Sequence, residues 1–169
     1  MWTTPDLIEY AEGSGRQPCC LIECPDAMTV LKLNRSKLKE LALMRLRDAE
    51  VLLKGKRYGG AYYLCGYAVE CALKAGIAKK TNRYDFPDKD AVNDNYTHSL
   101  TKLIKVAGLQ GKLDDECHKD KLFDQNWTIV KDWSEHSRYH KHNQQEVQAL
   151  YEAVSDINHG VIQWISQNW

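Results

Sequence analysis

The chain has 169 residues, of which 43% are hydrophobic and 27% charged, and its formal net charge at pH 7 is zero. This length suits one domain with a buried core. The charge is unevenly distributed: residues 34–83 hold 12 Lys and Arg against 4 Asp and Glu, whereas residues 84–169 hold 9 against 14. The basic block either faces an anionic partner or is balanced by the acidic half within one fold.

The cysteines and the apolar segments exclude two classes of protein. Six cysteines without a secretory signal pattern at the N-terminus do not indicate a disulfide framework. The apolar run 61–78 is barely long enough for a bilayer and carries Glu70 and Lys74 near its centre, which argues against a membrane span. We therefore predict a cytoplasmic protein without membrane contact.

The first 33 residues are predicted to form an irregular arm. Glycines, prolines and scattered acids interrupt any hydrophobic period there. Cys19, Cys20 and Cys24 lie in this arm, but no second pair with ligand spacing follows, and a structural zinc site needs four ligands. No metal is predicted, and the main domain is assigned to residues 34–169.

Helical periodicity begins at Asn34. Apolar residues recur at threes and fours as far as Leu53, and Gly55-Lys56 end this first helix. The short connection predicts that a second helix, at about 60–80, runs back antiparallel to the first. One face of the second helix consists of small residues suited to close helix approach, namely Ala61, Cys65, Ala68, Ala72, Ala75 and Gly76.

The opposite face of the second helix combines aromatic and charged side chains. Tyr63, Tyr67, Glu70 and Lys74 line up at helical spacing. Glu70 and Lys74 are four residues apart with the glutamate first, which is the favourable order for a helical ion pair. Because burying such a pair is costly, we expect it to organise a helix contact or to line a pocket with the two tyrosines.

The rest of the chain continues the helical pattern after a polar loop at 81–97. A third helix opens at His98-Ser99-Leu100, and residues 114–133 are predicted to be helical in pieces. Residues 134–144 are almost wholly polar and hold three histidines, and a final helix covers about 145–166. Since no segment alternates with period two for long, we predict an all-α fold, an up-and-down bundle of four to five helices.

Several motifs in this order resemble one known family. The first helix ends in Lys54-Gly55-Lys56-Arg57-Tyr58, and the second contains Tyr67-Ala68-Val69-Glu70-Cys71-Ala72-Leu73-Lys74. His98-Ser99-Leu100, Arg138-Tyr139 and a long terminal helix follow. Over about residues 35–167 the chain resembles the HEPN family. The resemblance implies a HEPN-like bundle that often dimerises, in toxin–antitoxin, defence and mobile-element contexts, frequently beside a nucleotidyltransferase partner.

The resemblance also implies a site. Many HEPN proteins are metal-independent RNases, in which an Arg-x4–6-His motif stabilises phosphate and assists attack by the RNA 2′-hydroxyl. Here Arg138 matches the arginine, but His142 arrives one residue early and Asn143 occupies the first motif position. In a helix, Arg138 and His142 would share a face, whereas in an extended loop they would diverge. The alternatives are a structural ion pair of Arg138, for instance with Glu70, and a solvated loop histidine.

The sequence is compatible with three functions. The preferred one is a toxin–antitoxin or defence-type module that binds nucleotide or RNA phosphate through Arg138, acting with a nucleotidyltransferase partner. The rivals are a metal-independent endoribonuclease using Arg138 and His142, and a non-catalytic protein-interaction subunit. A homodimer is expected, and no cofactor is predicted because no phosphate-binding glycine loop or Rossmann fingerprint is present. The candidate ligand-lining residues are Glu70, Lys74, Tyr63, Tyr67 and Tyr139.

Overall fold

The computed structural model describes residues 34–80 and 97–169, and the regular secondary structure in these ranges is entirely helical. It comprises α1 (Arg35–Lys54), α2 (Tyr58–Lys80), α3 (Leu100–Val106), α4 (Gln110–Lys119), α5 (Lys121–Val130), a 3-10 helix η1 (Glu135–Tyr139), α6 (Gln144–Ser155) and α7 (Val161–Ser166). The prediction of an all-α bundle is confirmed. The predicted N-terminal arm and nearly all of the predicted loop at 81–97 lie outside the described residues.

The first two helices form the antiparallel pair that the sequence predicts. The side chain of Asn34 caps α1 by accepting a hydrogen bond from a backbone N–H of the first turn. At the other end, the N–H groups of Lys56 and Arg57 donate to carbonyls of the last turn, and Lys56 adopts a left-handed φ of 57°. This Schellman-type ending reverses the chain within three residues, so that α2 packs along α1.

Helix α2 is the centre of the bundle. It packs against α1, α3, α6, α7 and η1. The predicted small-residue face is buried, with Ala61, Cys65, Ala68, Ala72 and Ala75 each at most 1% exposed. The other side of α2 is also covered, since Val69 and Leu73 are fully buried. Small side chains on one face permit the close helix approach that this central position requires.

One close approach on α2 involves Gly66. A Cβ atom at this position would fall 2.2 to 2.3 Å from three atoms of the Trp133 indole ring. Trp133 is 2% exposed and lies between α5 and η1. The absence of a side chain at Gly66 therefore lets this ring sit directly on α2, which fixes the start of the η1 segment.

The prediction of a single helix over residues 145–166 is wrong. The chain breaks between α6 and α7, where the Asp156 carboxylate accepts hydrogen bonds from the N–H groups of Asn158 and His159 at 2.8 and 2.6 Å. Gly160 closes the turn so tightly that a Cβ atom there would lie 2.2 Å from the Asp156 carbonyl oxygen. The aspartate thus competes for backbone donors that would otherwise continue the helix.

The same turn is joined to α5 through an aspartate–histidine pair. The Nδ1 atom of His159 lies 2.5 Å from Oδ2 of Asp120, whose other oxygen caps the first turn of α5. The hydrogen bond to Asp120 raises the pKa of His159, and the same bond lowers the pKa of Asp120. The pair therefore adds stability only while both groups are charged.

Replacing His159 with glutamine is expected to lower the melting temperature most in mildly acidic solution. A histidine with a raised pKa stabilises fully below its unfolded pKa of about 6.5, and an aspartate with a lowered pKa does so above about 3.9. The contribution fades as pH rises through the folded pKa of His159 or falls through that of Asp120. Thermal unfolding of wild type and His159→Gln across this range measures the difference.

His140→Gln is the control, because His140 is exposed and makes no ion pair with a described residue. A pH-independent difference for His159→Gln would contradict the prediction.

Candidate functional site

Arg138 lies on the surface in η1. Its guanidinium carbon is 5.1 Å from the centre of the Tyr139 ring, and Tyr139 is itself 76% exposed. Interaction with the phenol groups of Tyr139 and, less strongly, of Tyr63 raises the pKa of Arg138 above its ordinary value. Arg138 forms no ion pair with a carboxylate in residues 34–80 or 97–169, so an ion pair with Glu70 is not present.

Tyr63 connects this arginine to the central helix. The Tyr63 ring stacks near Tyr67, one turn along α2, with a centroid distance of 6.1 Å. It also packs at 6.0 Å against the buried ring of Trp133. Arg138, Tyr139 and Tyr63 together are called here the arginine–tyrosine surface. Its position depends on the packing of Trp133 against α2.

His142 occupies a different environment from Arg138. Its ring stacks on Tyr62 with a centroid distance of 3.7 Å and an angle of 6° between the planes. Its Nε2 lies 3.3 Å from the Ser137 carbonyl oxygen, and its Nδ1 lies 3.4 Å from a carboxylate oxygen of Glu146. Only 13% of the side chain is exposed. Both ring nitrogens therefore face acceptor oxygens of the protein itself.

The sequence motif does not produce a shared helical face. The helical turns of η1 end at Tyr139, and His140 has extended backbone angles. Among the residues that the structure describes, no hydrogen bond, ion pair or ring contact joins Arg138 to His142. A cavity of about 460 Å³ beside His142 is lined by residues that include Tyr62 and Glu146 but not Arg138. A joint catalytic role for Arg138 and His142 stays a prediction.

The Glu70–Lys74 pair has the predicted geometry and an additional partner. Glu70 is 1% exposed, and its Oε1 accepts a hydrogen bond of 2.8 Å from Lys74 Nζ. The Nδ1 atom of His98 lies 3.0 Å from both carboxylate oxygens. Because its two partners enclose the carboxylate, the geometry favours an organising role at a helix contact over a ligand-lining role. Beside it, burial raises the pKa of Tyr67 to about 12.

Sequence reasoning missed the residues that hold His142, although one signal was available. Asn143 and Glu146 form a capping box at the start of α6, with backbone-to-side-chain hydrogen bonds of 3.0 and 3.2 Å. The pattern Asn-x-x-Glu is a sequence signature of a helix start. It would have placed His142 before α6, in extended chain, with Glu146 one turn away.

Two negative findings apply to the described parts of the chain. In residues 34–80 and 97–169, no group of three His, Cys, Asp or Glu side chains is arranged to hold a metal ion. Within the same ranges, none of the helices combines the length and the apolar character needed to cross a bilayer. The cysteines of the N-terminal arm lie outside these ranges.

Comparison with known families agrees with the helical architecture. The model of the HEPN domain family matches residues 36–167, which is most of the chain. Searches among curated proteins and among solved structures gave no match. The family match runs from the first turn of α1 to the end of α7 and includes both the Glu70–Lys74 pair and Arg138. The chain therefore belongs to the HEPN domain family.

Proposed function

We propose that this HEPN domain is a toxin–antitoxin or defence-type module that binds RNA or nucleotide phosphate through Arg138. The observation that carries the proposal is the exposed guanidinium of Arg138, which has no carboxylate partner among the described residues. A guanidinium group grips phosphate oxygens bidentately, and exposed tyrosine rings such as that of Tyr139 offer stacking surfaces for bases. HEPN membership supports an RNase, toxin or defence role in general.

Two partner proteins belong to the same proposal. Family resemblance supports a homodimer and a separate nucleotidyltransferase. The second partner would supply the nucleotidyl-transfer motif that the given sequence does not show. Co-purification with a nucleotidyltransferase encoded beside the gene, and light scattering of the isolated chain, test these two points separately.

Replacing Arg138 with alanine is expected to weaken single-stranded RNA binding at least about tenfold, since a hydrogen bond to a charged group contributes about 1.5–3 kcal/mol. The slope of log K against log salt should also fall by about 0.7 for one lost phosphate contact. Arg138→Lys should retain the charge but lose the bidentate geometry, and so bind with intermediate affinity. Fluorescence anisotropy with a labelled RNA at several salt concentrations measures the affinities of both variants and the salt slope.

Arg47→Ala is the matched control for this experiment. Arg47 is an exposed arginine of α1 without an ion pair to a described residue, so its loss removes the same charge elsewhere. Equal affinities of Arg138→Ala and Arg47→Ala would show that Arg138 is not a specific phosphate contact. If wild type binds no RNA or nucleotide, the non-catalytic protein-interaction subunit becomes the better explanation.

An active endoribonuclease is the second candidate, and one contact favours it. The hydrogen bond from His142 to the Ser137 carbonyl ties the histidine to the residue that precedes Arg138. Against it, both ring nitrogens of His142 face protein oxygens, whereas general acid–base catalysis needs one of them to reach the reacting atoms. RNA cleavage that resists chelators and is abolished by both Arg138→Ala and His142→Ala would establish this activity. Intact RNA after incubation with wild type would exclude it for the RNAs tested.

A further inference from the structure

A second concentration of positive charge lies at the C-terminal end of α2, away from the arginine–tyrosine surface. A cavity of about 500 Å³ opens there between α2, α4 and the residues that follow α7. The charged side chains that line it are Lys79, Lys80 and Lys112, and the rest of the lining is neutral. We call it the lysine cavity.

Two lysines of this cavity, Lys79 and Lys112, share a neutral partner. Lys79 Nζ lies 3.4 Å from the main-chain oxygen of Asn168, and Lys112 Nζ lies 2.6 Å from the side-chain oxygen of the same residue. Within residues 34–80 and 97–169, none of Lys79, Lys80 and Lys112 forms an ion pair with a carboxylate. Asn168 therefore orients two ammonium groups without neutralising either of them.

Lys80 is accommodated by a glycine. Gly108 ends α3 with a left-handed φ of 63°, and a Cβ atom at this position would fall 1.8 Å from Lys80 Nζ. The positive φ favours glycine at this position, and a side chain there would displace the flexible Lys80 ammonium. The Lys80 ammonium thus lies close to the Gly108 backbone at the lysine cavity.

More cations surround this cavity on the side of α1. Arg35 donates a hydrogen bond of 2.7 Å to the main-chain oxygen of Trp169, and Lys39 lies 5.3 Å from the centre of the Trp169 ring. Partial burial, then Arg35 and Lys79, lower the pKa of Lys39. Cations of α1 and α2 therefore repel one another beside the lysine cavity, and a bound anion would relieve that repulsion.

We propose that the lysine cavity binds the phosphate group of a small phosphate compound. A phosphate group offers about two negative charges and three strong acceptor oxygens, which match three ammonium groups better than a single carboxylate does. A volume of about 500 Å³ is within the usual range for small-molecule sites. The backbone phosphate of RNA is the other source of the same chemistry. The site lies apart from Arg138, so it does not rest on the function proposed above.

Isothermal titration of the full chain with pyrophosphate tests the site directly. Wild type should bind one pyrophosphate, and the double substitution Lys80→Gln/Lys112→Gln should weaken the affinity at least about tenfold. Lys102→Gln/Lys119→Gln removes the same charge from exposed positions outside the cavity and should change the affinity less than about twofold. All titrations are made at equal ionic strength. An equal loss in both double variants would overturn the proposal.

Lysine acetylation of the wild-type chain, followed by mass spectrometry, tests the same site without any substitution. Pyrophosphate should slow the modification of Lys80 and Lys112 but leave that of Lys102 unchanged. Protection by single-stranded RNA but not by pyrophosphate would reject the small compound and assign the phosphate to RNA. Absence of protection by either ligand would overturn the site altogether. Repeating the RNA experiment with Arg138→Ala shows whether protection of the cavity lysines depends on RNA binding at the arginine–tyrosine surface.

Discussion

Replacing Lys74 with methionine should destabilise the protein by about 3 kcal/mol, because the substitution leaves a buried carboxylate without its main cation. Glu70 is 1% exposed and would retain only His98, whose imidazole is charged only when protonated. The presence of His98, and the 21% exposure of the Lys74 side chain, place the cost at the low end for a broken buried pair. Urea denaturation followed by tryptophan fluorescence measures the change in the free energy of unfolding.

Two comparisons show whether the cost arises from the buried charge. Glu70→Leu/Lys74→Met should be more stable than Lys74→Met alone, since the second substitution removes the unpaired carboxylate. Lys54→Met breaks an exposed pair with Glu50 in α1 and should destabilise the protein far less than Lys74→Met does. Glu70→Leu alone is measured as well. If the loss of stability in the double variant equals the sum of the losses in Glu70→Leu and Lys74→Met, the buried-charge explanation is wrong.

Gly66→Ala should destabilise the protein by up to about 3 kcal/mol, as overpacking of a dense core does. The added methyl group would lie 2.2 Å from the nearest atom of the Trp133 indole, and that ring is buried. Displacement of Trp133 would also shift η1, so RNA binding through Arg138 should weaken in the same variant. Thermal unfolding and RNA anisotropy measure the two effects.

Gly76→Ala is the matched control on the same helix. A Cβ atom at Gly76 would meet no atom within 4 Å. Alanine is favoured over glycine inside a helix by about 0.8–1.0 kcal/mol, so this variant should be more stable than wild type. The same chemical change thus has opposite expected signs at two positions of α2. Equal changes in stability for Gly66→Ala and Gly76→Ala would show that contact with Trp133 does not determine the effect of the added methyl group.

Sequence periodicity predicted the parts of the fold that depend on local geometry. The all-α class, the start of α1 at Asn34 and the small-residue face of α2 follow from spacing along one helix. The Glu70–Lys74 pair was predictable for the same reason, since residues four apart in a helix must be neighbours. The break between α6 and α7 had a readable signal in Asp156 and Gly160, which the strong apolar period on either side outweighed.

Contacts between distant segments were not predictable in this way. His98 lies 28 residues from its partner Glu70, and no local pattern indicates that the two meet. The same holds for the stacking of His142 on Tyr62. The lysine cavity combines side chains of α2 and α4, and charge counts along the chain indicated only a basic block. Arg138 and His142 would share one face only if the backbone between them were helical, and spacing alone does not decide that.

The unbroken length of α2 fixes the separation between the two regions proposed to contact phosphate. Tyr63 borders one region and Lys80 lines the other, and a rise of 1.5 Å per residue places them about 25 Å apart along the helix axis. Since neighbours cover α2 on both sides, this distance has little freedom to change. A compact phosphate compound can therefore occupy only one region at a time. If RNA and not a small compound occupies the lysine cavity, one strand can contact both regions only when it spans this distance of about 25 Å.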